Sequence, residues 1–330
     1  MKKCMNHPQQ FVDDSLQGIL MAYRGFYQSG NDDLRAIIHP TQNANVRIIT
    51  GGGYGHLPVF LGYVGNGLCD GAAVGNVFTS PSCEAILNAT RALKPQNGVL
   101  YLFGNYFGDS MNFEMACETL AQEGIETEIV KMSDDIASAP RSEYENRRGI
   151  AGIFFSYKIA GACASAGLGL QEVARVAKDT VANTASFGVA FSSCTLPEHD
   201  QPIFTLGKDE MEIGMGIHGE PGVRHGTMQS SECIANELCT AVAEDLALRE
   251  GERIAVLVNG LGATSREELY IFYRDIDRIL QSRGLITAKA FVGEYATSME
   301  MSGLSLSLLR LNNERENYLN AAAYTPFVSF

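Results

Sequence analysis

The sequence has no run of 18 or more apolar residues, so it offers no segment able to cross a bilayer as a helix. No basic n-region precedes an apolar h-region either. The opening residues MKKCMNHPQQFVDD turn polar at once, and a cytoplasmic location without membrane contact is expected. There is no CxxC pair and no Cys/His cluster at zinc-ligand spacing. The eight cysteines lie scattered through apolar or helical stretches and read as reduced thiols filling small core positions. No basic patch offsets the excess of 38 acidic over 25 basic residues; the net charge of −13 repels phosphate backbones, so direct nucleic-acid binding is not expected.

What is present is the composition of a soluble globular chain: 330 residues, 45% apolar and 19% charged, a length that fits two domains better than a single core. Strand-like apolar runs at 46–50, 99–103, 128–131, 254–258 and 288–292 alternate with helical patterns. Such alternation indicates α/β layering, with sheets flanked by helices. A helix is predicted over 111–123, with Phe113, Met115 and Leu120 near one face and a stop at Gly124. Another is predicted over 171–182, with Val173, Val176 and Ala177 at helical spacing, and a third over 11–27, with Val12, Leu16, Ile19, Leu20 and Tyr23 on one face. Thr264 and Glu267 form a capping box opening a helix that runs to Gly284. Between 183 and 215 the pattern breaks into short β-like pieces around Pro197 and Pro202. The boundary is placed there, giving domains of residues 1–184 and 185–330.

Three segments could carry chemistry. The first is GGGYGHLP, residues 51–58, directly behind a strand-like run. Glycine tolerates positive φ and lets the main chain approach another group closely, so Gly51, Gly52, Gly53 and Gly55 describe a tight crossing with amides open to an oxygen-rich ligand. A purely structural turn needs the same glycines. The stretch is neither GxGxxG, because residue 56 is histidine, nor a phosphate-binding loop ending in GK[ST]. The second is GNYFGDSMNF, residues 104–113, also at a strand end; its Asp109 is either a rim carboxylate or the N-cap of the following helix, and both roles can coexist. The third is MGIHGEPGVRHG, residues 215–226, where glycines at 216 and 219 clear space around His218 on a rigid turn. His56, Asp109 and His218 have the composition of a two-histidine, one-carboxylate metal site, but they come from three separate loops and no metal is expected. His7, His39, His199 and His225 have no comparable context.

Together with GYVGNGLCDGAAVGNVFTSPS (62–82), RRGIAG (147–152), YKIAGACASAG (157–167), CTLP (194–197), LVNGLGAT (257–264) and EYATSMEMSGLSLSLLRL (294–311), these motifs resemble the dihydroxyacetone kinase family over essentially the whole chain. They resemble in particular its dihydroxyacetone-binding, DhaK-type subunit. The resemblance implies two α/β domains of the DhaK type, a homodimer, and a site at the domain junction. It implies that His218 adds to the carbonyl carbon of dihydroxyacetone or a related short ketose and holds it as a hemiaminal, while His56 and Asp109 assist proton transfer. Substrate contacts fall by the same resemblance on Gly53, Tyr54, Gly55, His56, Gly104 and Asp109. No cofactor is expected in this chain. Mg-ATP or Mg-ADP is expected on a partner DhaL-type subunit, recharged by a DhaM-type phosphotransferase protein or by nucleotide exchange. Other members of the family act as dihydroxyacetone sensors and transcriptional co-activators, which is the alternative reading.

The match has three departures. Family members usually carry GGGSGHEP and KNYTGD, where this chain has Tyr54 for the serine, Leu57 for the glutamate and Gly104 for the lysine. Loss of that lysine removes a donor to substrate hydroxyls, and Tyr54 adds bulk nearby. A reshaped pocket taking a larger ketose, such as a tetrulose, is the expected consequence.

Overall fold

The structure is a computed structural model that describes residues 3–40, 45–328 and 330; the first two residues of the polar amino-terminal stretch lie outside them. In chain order the strands are β1 Gln28–Gly30, β2 Asp33–Ile38, β3 Arg47–Tyr54, β4 Gly71–Val77, β5 Val99–Gly104, β6 Thr127–Met132, β7 Thr184–Ala190, β8 Glu210–Ile213, β9 Arg224–Thr227, β10 Arg253–Gly260, β11 Ile286–Gly293 and β12 Gly303–Arg310. The helices are α1 Phe11–Ala22, α2 Cys83–Ala92, α3 Phe107–Gln122, α4 Ile153–Ser165, α5 Leu170–Ala182, α6 Ser231–Asp245, α7 Arg266–Ser282 and α8 Asn313–Leu319.

The strands form two six-stranded sheets, ordered β1-β2-β4-β3-β5-β6 and β11-β10-β12-β7-β8-β9. In the first, β4, β3, β5 and β6 are mutually parallel, so their carboxyl ends share one rim. In the second only β10 and β11 are parallel. The buried side chains divide into layers: α2 and α3 cover one face of the first sheet, and α6 and α7 cover one face of the second. Helices α4 and α5 lie between, in a core that joins Ile48, Leu100 and Leu102 of the first sheet to Leu257, Phe291 and Leu309 of the second. Helix α4 is buried from Ile153 to Ala164 without a break. A helix apolar all round has no 3.6-residue alternation to read, which is why no helix was predicted there.

The five predicted strands and the helix at 171–182 are present within a few residues. Four local expectations are corrected. The capping box is formed by Ser265 and Glu268, one residue later, because Thr264 Oγ1 is engaged with Gly303, donating to its carbonyl at 2.7 Å and accepting from its amide at 2.8 Å. Helix α3 begins at Phe107, and its buried side is Phe113, Ala116 and Leu120, with Met115 exposed. Helix α1 ends at Ala22, five residues short of the predicted end. The region after 183 begins with an uninterrupted buried strand, β7, not a series of short pieces.

The glycine run is a fifth. Strand β3 does not stop at Thr50 but runs on through Gly51, Gly52 and Gly53 to Tyr54. Crowding explains the composition: a Cβ at Gly52 would lie 2.1 Å from the Phe60 ring, and one at Gly53 2.7 Å from the Thr79 amide. These glycines serve close packing of strand against loop before they serve any ligand.

Replacing Ser265 by alanine removes the cap of α7, and a loss of about 1 kcal/mol is expected, visible as a lower midpoint in denaturant at an unchanged slope.

Candidate active site

The parallel strands of the first sheet deliver three segments to one rim: residues 55–57 after β3, 78–80 after β4 and 105–109 after β5. The carboxyl edge of an open α/β sheet is where ligands gather. Across from it stands the turn at 214–222 in the second half of the chain, closed by Gly216 N–H donating to the Glu220 carbonyl at 3.1 Å. Gly219 has φ +80°, a left-handed conformation suited to glycine.

Residues 297–299 hold the halves together at this point. The Thr297 and Met299 amides donate to the His56 and Gly55 carbonyls at 3.2 and 2.8 Å, and the Thr297 hydroxyl donates to the Leu57 carbonyl at 2.9 Å. Ser298 Oγ donates to the Ile217 carbonyl at 2.5 Å. The His56 and His218 ring centroids consequently lie 4.8 Å apart, nearly perpendicular. Phe78 stacks on His56 at 4.6 Å, and Tyr106 meets His218 edge-on at 4.7 Å. Phe60, Phe78 and Met299 all have positive φ, so backbone strain is concentrated around the pair.

Hydrogen-bond partners fix the roles of the ring nitrogens. His56 Nδ1 donates to the Thr297 carbonyl at 2.8 Å, which leaves Nε2 as a bare acceptor, fully buried and without a partner in the chain. Burial, reinforced by the neighbouring His218 ring, lowers the His56 pKa to about 3, so the His56 ring is neutral at physiological pH. Glu220 takes the opposite course. Burial alone would push its carboxyl up, but the hydrogen bonds from His218 and the Arg148 charge hold it at about 2. As a carboxylate it can only accept, so the 3.1 Å contact from His218 Nδ1 is a donated N–H, and in the neutral ring the lone pair then lies on Nε2.

Asp109 is not an N-cap. Tyr106 occupies the cap position of α3, and Asp109 lies in the first helical turn, where its Oδ2 accepts from Ser80 Oγ at 2.8 Å. The other oxygen, Oδ1, is buried without a partner. Burial raises the carboxyl to about 6 against the opposing Ser80 hydrogen bond. The Tyr106 hydroxyl is also buried and unpartnered, and burial pushes its pKa well above the ordinary value. Buried polar atoms are normally satisfied, so unpartnered atoms on His56, Asp109 and Tyr106 around one ring mark a place built to meet a polar ligand.

Of the sequence candidates, His56, Asp109 and His218 come together, with Gly53 and Gly55 beside them. Among the described residues no group of three His, Cys, Asp or Glu is disposed to hold a metal ion. Gly104 borders the site through Tyr106, whose ring would lie 3.1 Å from a Cβ at that position. Tyr54 points elsewhere: its hydroxyl is hydrogen-bonded to Ser15 of α1 and its ring packs edge-on against Phe11. Alternation along β3 sends side chains to opposite faces, so Tyr54 turns toward α1 and adds no bulk to the site. Sequence reasoning missed Phe78, Ser80, Tyr106, Glu220 and Thr297, although each lies in a quoted motif. What it lacked was the pairing, since Ser80 and Asp109 meet only because β4 and β5 end on the same rim.

A two-sheet α/β protein that gathers two imidazoles and a buried carboxyl with unpartnered polar atoms at a strand-end rim has the makings of a small-molecule site. Residues 17–327 match the Dak1 domain, and the chain belongs to that family, the dihydroxyacetone kinases. It is 41% identical to the dihydroxyacetone-binding subunit DhaK of PTS-dependent dihydroxyacetone kinase 2 from Listeria innocua, with 99% of each chain covered. It is 44% identical to the D-erythrulose kinase of Mycolicibacterium smegmatis over 99% of this chain but 56% of that protein, so it spans about half of that relative's length. The solved structure named dihydroxyacetone kinase operon co-activator Dha-DhaQ superimposes with a TM-score of 0.88 at 33% identity, covering 94% of this chain and 96% of that one.

With its pKa near 3, His56 should keep constant imidazole NMR shifts from pH 8 to pH 5; a titration step near 6.5 would show that the ring is not sequestered as described.

Proposed function

We propose that this chain is the ketose-binding subunit of a dihydroxyacetone-type kinase. The proposed substrate is dihydroxyacetone or a short ketose of the erythrulose kind, captured as a hemiaminal on His218. The observation that carries the reading is the free Nε2 of His218, held in the nucleophilic tautomer by Glu220 and ringed by the unpartnered atoms of His56, Asp109 and Tyr106. In the addition, Nε2 bonds to the ketone carbon and the carbonyl π pair moves to oxygen, which collects a proton. The imidazole gives up its Nδ1 proton on the Glu220 side and stays neutral, and water relays a proton from that side to the new alkoxide, so the carboxylate is restored and the adduct carries no net charge. Such a tether suits a small polyol with little apolar area to bury.

The two remaining groups divide the proton work according to their pKa values. A base is most effective when its pKa lies near the working pH, so Asp109, at about 6, is the better acceptor for the proton of the attacking hydroxyl. His56, at about 3, serves as a neutral hydrogen-bond acceptor that orients a substrate hydroxyl through Nε2. Phosphoryl transfer then depends mainly on alignment and charge stabilisation. The donor, Mg-ATP or Mg-ADP, is assigned to a partner DhaL-type subunit, with a DhaM-type phosphotransferase protein as one means of recharging it and a homodimer of this chain as the receiving unit. The exposed stripe Phe107, Met111 and Met115 on α3 starts beside Asp109 and suits such docking.

Gly104 supports the larger substrate. Without a side chain there, the bulk and charge of the usual lysine are absent beside the Tyr106 ring, a ring that the usual pattern also carries. The erythrulose kinase at 44% identity points the same way. The second reading, a ketose sensor acting as a co-activator, is favoured by the likeness to the operon co-activator. Tight ketose binding with no turnover beside any nucleotide subunit would select it.

Three outcomes are expected with a complementing nucleotide subunit. His218→Ala abolishes ketose capture, whereas Asp109→Asn leaves binding measurable and lowers turnover roughly 10²–10⁴-fold; equal loss of binding in both would contradict the division of roles. Turnover should fall as pH drops through about 6, where Asp109 gains its proton, and Ser80→Ala should move that limb upward by removing a hydrogen bond to the charged form. Gly104→Lys should shift preference toward dihydroxyacetone over erythrulose by roughly tenfold in kcat/KM, and an unchanged ratio would dismiss the larger-ketose reading.

A further inference from the structure

Arg148 belongs to the RRGIAG segment, which the chemistry above leaves unused. Its amide donates to Ser138 Oγ at 2.9 Å, and its guanidinium contacts Asp135 Oδ2 twice, through Nε at 2.9 Å and Nη2 at 2.7 Å. Asp135 is itself fixed. Its Oδ1 accepts from the Ala137 amide at 3.0 Å, and the next residue, Ile136, donates its amide to the Ser186 carbonyl of β7 at 3.1 Å. Asp135 therefore lies where the chain passes from the first sheet onto the second. The far end of the same guanidinium, Nη1, stands 3.8 Å from Glu220 Oε2. Glu220 in turn accepts from the His218 amide at 3.0 Å and from His218 Nδ1 at 3.1 Å.

The sequence keeps this contact clear. A Cβ at Gly216 would fall 2.1 Å from Glu220 Oε2 and 2.8 Å from Arg148 Nη1, so only glycine leaves room for the pair to meet. We propose that Arg148, anchored by Asp135, is a positioning residue for the nucleophile: it holds the Glu220 carboxylate against Nδ1 so that His218 presents a bare Nε2 to the ketose. The inference rests on the ketose-capture reading. Two carboxylates, Asp135 and Glu220, share one guanidinium, and without it they become neighbouring like charges, a state relieved when one takes up a proton. A protonated Glu220 can donate to Nδ1, and that reverses the tautomer of His218.

The test uses the ¹⁵N-labelled full chain, reading the His218 ring nitrogens by long-range ¹H–¹⁵N correlation and the Kd for dihydroxyacetone and erythrulose by calorimetry. Wild type should show His218 as a single Nδ1–H tautomer. Arg148→Met should mix the tautomers and weaken ketose binding roughly ten- to a hundredfold, and Arg148→Lys, which keeps the charge, should restore most of both. Gly216→Ala wedges a methyl group between the Glu220 carboxylate and Arg148 Nη1, and it should give the same signature even if Arg148→Met fails to fold. Unaltered His218 shifts and ketose Kd in folded Arg148→Met or in Gly216→Ala would overturn the proposal. If wild type binds no ketose yet loses its single tautomer in these variants, the positioning role stands and the substrate reading falls.

Discussion

The site depends on one contact between the halves of the chain, the grip of residues 297–299 on the segment after β3. Four hydrogen bonds join Thr297 and Met299 to Gly55, His56 and Leu57, and a fifth ties Ser298 to Ile217, next to His218. Each is worth only about 1 kcal/mol net, so their sum is a modest part of the stability of such a chain. Their importance is geometric. The same three residues touch both histidine-bearing turns, so the separation of the rings is set by a single short segment rather than by the packing of two large domains.

That clasp also decides the electrostatics. The clasp buries the His56 ring, and that burial lowers its pKa against the upward pull of the Thr297 carbonyl that accepts from Nδ1. Asp109 is buried too, yet for an acid burial acts in the other direction and brings its pKa toward neutrality. Glu220 escapes this because the donors of His218 and the charge of Arg148 outweigh its desolvation. One burial effect, acting on a base, an acid and a paired acid, gives a neutral acceptor, a carboxyl raised toward neutrality and a fixed anion.

Much of this was legible in the sequence, for identifiable reasons. His56, Asp109 and His218 could be picked out because each lies in a short segment with glycines close by, and the strands at 46–50 and 254–258 because their apolar runs were bounded by turn residues. Helix α4 was not legible, since burial on all sides erases the periodicity that betrays a surface helix. Ser80, Thr297 and Arg148 were hidden for another reason. Each acts through a partner 29 or more residues away, as with Ser80 and Asp109, and the register that joins them exists only once the sheets have formed. The capping box slipped by one residue because Thr264 and Ser265 offer equivalent hydroxyls, and the choice between them is made by Gly303 on another strand.

The same distinction weighs the departures from the usual family pattern. Tyr54 and Leu57 change the motif most visibly, yet Tyr54 reaches back to Ser15, and Leu57 packs its side chain on the central core while its carbonyl is held by Thr297. Both substitutions place their side chains in packing, Tyr54 against Phe11 and Leu57 against the central core. Gly104 accepts from the Tyr106 amide at 2.8 Å and lies close to its ring, and that ring meets His218 edge-on. The substitution that removes the most atoms is therefore the one beside an aromatic ring that borders His218, where the usual lysine has to share the space with the tyrosine that the motif keeps.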